Sequence, residues 1–217
     1  TGGGGLVGVG VTLAALLVFT DVEATLAGDV TNAKTVLVRT DVDFGEALTV
    51  TLAISGGFVG VSVSGGITYF QAKARAAIAG GANLSGITQS ITVSTVGNTN
   101  AIAAASSIGG GAVAVNAGMA LVLNFTRVDT FIGQGVTINA PGAAVRVETQ
   151  YTANALAFTI AVSVGGVAVG ATLALAINML DANTYIGASP DGSAEPGSTA
   201  AVKGGITAGS VTVSGAV

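Results

Sequence analysis

The chain has 217 residues, half of them hydrophobic and only 8% charged, with a net charge of −4 and neither Cys nor His. So large an apolar fraction excludes a disordered chain, and sparse acidic charge excludes a nucleic-acid partner, which requires a basic stripe. The missing Cys and His remove thiolate nucleophiles, disulfides, imidazole bases and the usual zinc and haem ligands.

The first element follows the glycine run Gly2–Gly5, with Val7, Val9, Val11, Leu13, Leu17 and Phe19 alternating with Gly8, Gly10, Thr12 and Ala14. At a shift of 52 the pattern returns, Leu6 meeting Phe58 and Leu26 meeting Ile78. A shift of 54 carries it further: Ile54 maps onto Ile108 and Val162, Gly56-Gly57 onto Gly110-Gly111, and Ile78 onto Ile132 and Ile186. The chain thus divides into four copies, at 1–53, 54–107, 108–161 and 162–217. A period of this length is the signature of a repeat architecture.

Each copy predicts a long strand after the glycines, a short one at TFIG or TYIG, another at GVTINA (Gly135–Ala140 in the third copy), and a return run from Ala144 toward Ile160. The fourth copy departs from the others in a 12-residue excess around Ser189–Thr199, where Pro190, Asp191-Gly192 and Pro196-Gly197 predict a loop bulging from the array. Gly2–Gly5 stands where later copies begin a rung, and Val217 matches Tyr151 in mid-strand. The expectation is an excerpt of a longer array.

Ala161–Leu180 runs for 20 residues without a charge, long enough for a membrane helix. Its periodicity is that of a strand. Val167, Val169, Ala171, Leu173, Leu175, Ile177 and Met179 form one face, and Ala168, Gly170, Thr172, Ala174, Ala176 and Asn178 form the other. The third copy repeats this with Val113, Val115, Ala117, Met119, Leu121, Leu123 and Phe125 against Ala114, Asn116, Gly118 and Ala120. Large residues stack over large and small over small, as rungs about 4.8 Å apart require. The fold class predicted is all-β, a parallel β-solenoid of about four wide rungs. A long strand of about 46 Å implies a flattened cross-section of two facing sheets. The bulky residues are expected between them, with the small face either exposed or close against another sheet.

The few charges align by copy. Asp21, Lys73, Arg127 and Asp181 share one position; Glu23, Arg75, Asp129 and Asn183 share another. Stacked in parallel, Asp21/Lys73, Arg127/Asp181, Glu23/Arg75 and Arg75/Asp129 attract, while Lys73 over Arg127 is a like-sign conflict. Exposed pairs of this kind contribute about 0.2–1 kcal/mol each, so they set register more than they stabilise. Asn100/Asn154 and Asn124/Asn178 are expected to form stacked amide ladders, and Phe131/Tyr185 a stacked pair.

The motifs that suggest chemistry have simpler explanations. Gly109–Gly111 lacks the Lys-Ser/Thr of a phosphate loop and reads as a corner. Asp41-Val42-Asp43 lacks the rest of a calcium loop. Asn83-Leu84-Ser85 and Asn124-Phe125-Thr126 fit the glycosylation triplet, which arises often by chance. Charges confined to strand ends and loops speak against a repeat-based enzyme such as a polysaccharide lyase. No catalytic, cofactor-binding or metal-binding residue is expected.

GGGAVAVNAGMALVLNFTRVDTFIG (Gly109–Gly133) and VGGVAVGATLALAINMLDANTYIG (Val164–Gly187), each followed by a GVTINA- or GSVTVSG-type segment, resemble the β-strand repeats of large bacterial surface and secreted proteins of the filamentous-adhesin and autotransporter-passenger type. The resemblance spans all four copies and carries no functional residue with it. It implies a solenoid stalk at the cell surface, a structural segment of an extracellular fibre whose partners are further rungs or neighbouring solenoids. Contact with lipid or a host surface stays open. The competing expectation is a membrane- or lipid-associated β protein, an outer-membrane barrel or an apolar tube, which alternation favours and the scarcity of aromatics opposes.

Overall fold

The computed structural model describes residues 2–3, 5–188 and 204–217. The loop expected at Ser189–Thr199 lies outside the described residues. The strands in chain order are β1 (Gly2–Gly3), β2 (Val7–Leu26), β3 (Val30–Thr31), β4 (Thr35–Ser55), β5 (Val59–Ile78), β6 (Asn83–Ser85), β7 (Ser90–Gly110), β8 (Val113–Gly133), β9 (Thr137–Val164), β10 (Val167–Gly187) and β11 (Ile206–Ala216). No helix of the described residues is long and apolar enough to cross a membrane.

The strands form two parallel sheets. One runs in the order β2, β5, β8, β10; the other stacks β4, β7, β9 and β11, with β1 beside β4, the short β6 beside β9 and the short β3 beside β6. Each rung climbs one sheet, turns, and returns down the other. The chain is a parallel β-solenoid, and the offset of β10 over β8 is constant: Val167 lies over Val113 and Gly187 over Gly133, with every residue between them in register.

Two expectations about the rung change. The long strand does not break before TFIG; β8 and β10 run 21 residues each, because no turn residue interrupts them before Gly133 and Gly187. GVTINA and the return run fuse in the third rung into the 28-residue β9, whereas the first two rungs keep them apart as β3/β4 and β6/β7.

The larger correction concerns the faces. Toward the Gly133 end the interior is an ordinary apolar core: Ile78, Leu84, Ile91, Val93, Ile132, Ile138, Val145 and Val147 are buried, while Arg39, Asp41, Asp43 and Arg146 point outward. Toward the Gly111 corner the solenoid is inverted. The small face lies between the sheets, with Ala101, Ala103, Ala114 and Ala120 fully buried, and the bulky face points out, Leu13 at 72% exposure and Leu173 at 60%. The physical reason is the spacing of the sheets. A Cβ on Gly10 would lie 2.4 Å from the Ile54 carbonyl, and one on Gly60 2.6 Å from the Gly110 carbonyl. Thr12 Oγ1 donates to the Leu52 carbonyl at 2.9 Å and Thr68 Oγ1 to that of Ile102 at 2.8 Å. Hydroxyls one carbon off the backbone reach the opposite backbone only when the sheets are far closer than the usual ~10 Å. Nearest the corner Leu and Val have no room, and larger interior side chains return only at Leu16, Phe70 and Val122.

The corners that join the sheets are glycine because each stacks on the carbonyl below. Gly111 has φ 154°, and a Cβ on it would meet the Gly57 carbonyl at 2.3 Å. The corner backbone is bonded from rung to rung, through Phe58 N to Gly5 O, Val113 N to Phe58 O and Val167 N to Ala112 O.

Candidate functional site

The outer face of β2, β5, β8 and β10 carries the aligned charges. Pairing places Asp21, Lys73, Arg127 and Asp181 on one column and Glu23, Arg75, Asp129 and Asn183 two residues on. Arg75 reaches Glu23 on the rung below at 3.9 Å, but Arg127 turns within its own strand to Asp129 at 2.9 Å. That choice removes Arg127 from direct conflict with Lys73. It also anchors Asp129, which is 7% exposed and accepts a second bond from Asn183 Nδ2 at 3.2 Å. Asp21, Glu23, Lys73, Arg75, Arg127 and Asp129 line one shallow groove. Both signs line it, so it offers no single-sign pocket for a charged substrate.

Beside the charges runs an aromatic zigzag, Phe19 to Tyr69 at 5.5 Å and Tyr69 to Phe125 at 5.8 Å between ring centroids, with Tyr69 two residues off the register shared by Phe19, Gln71 and Phe125. Phe131 and Tyr185 stack at 4.9 Å with 3° between planes, and the Arg75 guanidinium lies 5.7 Å from the Phe131 centroid.

The asparagines are register partners, Asn100 with Asn154 and Asn124 with Asn178, but their amides do more than stack. Asn124 Nδ2 donates across the interior to the Asn154 carbonyl at 3.3 Å, and Asn178 Nδ2 to that of Ala153 at 2.7 Å. Close sheets make the opposing backbone the nearer acceptor. Asn100 and Asn154 face outward on the opposite sheet.

Sequence reading missed the interior hydroxyls. Thr184 donates to Thr149, Thr149 to Thr130 and Thr130 to Thr95, each at 2.7 Å, in a zigzag between the sheets that crosses three rungs. Nearer the corner, Asn116 Nδ2 donates to the Val162 carbonyl and to Ser163 Oγ, each at 2.6 Å, while Ser62 donates to Asn116 Oδ1. The signal was present as Thr and Asn recurring on the small face, which an exposed surface also explains.

Among the described residues no group of three or more His, Cys, Asp or Glu could hold a metal ion. No family model, curated protein or solved structure matches the chain.

Proposed function

We propose that the chain is a structural repeat segment, a length of β-solenoid whose role is to stack rungs within a long bacterial extracellular fibre or adhesin stalk, without catalysis. The observation that carries the reading is the unbroken register of β10 over β8 and of β8 over β5, residue for residue. Side chains are matched to that register: in the corner half bulky over bulky outside and small over small inside, at the Gly133 end bulky over bulky within the core, with hydroxyl bonded to hydroxyl between rungs. An enzyme needs its repeats to diverge around one cleft, and here they converge.

Among the described residues no strand lies beside the outer edges of β2 and β10, which leaves each edge as a template for another strand. Further rungs, of this chain or of a neighbour, satisfy them. Fibre diffraction or electron cryomicroscopy of the purified chain is expected to show layer lines near 4.8 Å along the long axis. A helical circular-dichroism spectrum, or particles with no repeat along any axis, contradicts the reading.

A further inference from the structure

We infer that the corner half of the solenoid is a lipid-docking blade, inserted edge-on into a bilayer with its strands along the membrane normal. The inference goes beyond stacking, and its failure leaves the layer lines of the stacking role untouched.

Four observations meet in this half. The first is charge: residues 5–20, 47–72, 101–126 and 155–180 contain no Asp, Glu, Lys or Arg. Each of these stretches contains apolar half-strand or corner.

The second is that both outer faces are apolar from the corner to the neighbourhood of the charged rim. On one sheet the bulky columns run from Val7 to Phe19 and from Val167 to Met179; on the other, Leu156, Phe158, Ile160, Val162 and Val164 are 42–66% exposed. Strand rise makes these bands about 40 and about 26 Å deep, which brackets the ~30 Å hydrocarbon core of a bilayer. The two boundaries fall within about 10 Å of one another along the strands, one on each side of the Asn124–Asn154 level. Asn124, bonded through the interior to the Asn154 carbonyl, stands between Phe125 and Arg127 of one face and the Asn154-to-Leu156 change of the other. A second copy packed on one face has no reason to fix the boundary on the opposite face, whereas a bilayer fixes both.

Third, the waterline is furnished as an interface. The Phe19, Tyr69, Phe125 zigzag lies next to Lys73, Arg127, Asp21 and Asp181, the order of aromatic and then charged groups that suits headgroup depth. The charges are of both signs, so apolar contact drives the docking and zwitterionic lipid suffices.

Fourth, the tip needs no water. Leu6 at 84% and Phe58 at 64% exposure project from corners whose N–H groups at Phe58, Val59, Gly111, Val113 and Val167 are bonded to neighbouring rungs. Non-helical backbone survives in hydrocarbon only when its polar groups are satisfied internally. Apart from Tyr69, Gln71 and Ser106, the hydroxyls and amides of this half are turned inward, and the inner strands β5, β7 and β8 are paired on both edges by adjoining rungs.

The chain contains no Trp, so single tryptophans report depth. The 217-residue chain carrying Phe58→Trp, or Leu37→Trp at the charged end, is mixed with phosphatidylcholine vesicles and floated on a density gradient. Both should float. Acyl-chain bromination should quench Phe58→Trp by about twofold or more and leave Leu37→Trp nearly unchanged, since only the tip enters the ~30 Å core. The double variant Leu13→Ser/Leu173→Ser alters exposed side chains alone and should keep its circular-dichroism spectrum while losing about tenfold in vesicle partitioning. Failure to float, equal quenching at both positions, undiminished partitioning of the double variant, or face-to-face dimers that exclude vesicles overturns the inference.

Discussion

Tyr151 lies over Gly97: the two are register partners on neighbouring rungs, and a Cβ on Gly97 would sit 2.7 Å from the ring carbon Cε2 of Tyr151 and 2.4 Å from the Val42 carbonyl. The large ring fits an interior of small residues because its neighbour below has no side chain. Gly97→Ala is therefore expected to cost about 1–3 kcal/mol, as overpacking does, because the carbonyl cannot yield as a flexible side chain would. Denaturant titration of the variant checks this. A midpoint equal to that of the parent chain would place the ring elsewhere.

The same tyrosine predicts a pH dependence. Burial pushes its phenol up to about 12, with the Thr99 hydroxyl pulling the other way short of an ordinary hydrogen bond. The folded state thus holds the proton more tightly than the unfolded chain, whose tyrosines titrate near ~10. Stability from this source is complete below pH ~10 and is lost between ~10 and ~12, by about 2 kcal/mol. Tyr151→Phe should remove that step, and at neutral pH it should be neutral or slightly stabilising, since it deletes a buried hydroxyl without a partner. Denaturation midpoints at several alkaline pH values decide it.

Thr149 stands in the middle of the hydroxyl zigzag, donating to Thr130 and accepting from Thr184. Thr149→Val keeps the shape and loses both bonds, for an expected cost of about 1–2 kcal/mol, whereas Thr149→Ser should lose little of the hydrogen bonding. Thermal melts of the two variants separate bonding from packing.

Inverted packing makes adjacent residues respond oppositely. Ala120 is fully buried between close sheets and Met119 is 40% exposed on the outer face. Ala120→Leu is expected to cost about 3 kcal/mol or to prevent folding, while Met119→Leu should change stability by less than about 0.5 kcal/mol. Equal effects would mean that the sheets stand at ordinary separation.

The period, the register and the columns of charge were legible in the sequence because a parallel stack repeats its side chains at one offset, so Asp21, Lys73, Arg127 and Asp181 could be aligned without coordinates. The direction of the faces was not legible. Alternation shows that Met119 and Ala120 point opposite ways, and it is silent on which way is inward. The usual assumption that bulky apolar groups face the core holds at Val145 and Val147 and fails at Leu173, because sheet spacing there is set by glycines and hydroxyls of two rung segments distant in sequence. For the same reason the amides of Asn124 and Asn178 read as ladders, when their acceptors were carbonyls on the opposite sheet.

The inverted packing can be measured directly because the chain has no native cysteine. Met119→Cys and Ala120→Cys, each made alone, are treated with a thiol reagent under native conditions. The structure predicts fast modification at position 119 and none at 120 until denaturant is added, since Met119 is 40% exposed and Ala120 is fully buried. Protection at 119 with ready labelling at 120 would show the bulky face turned inward and would contradict the account.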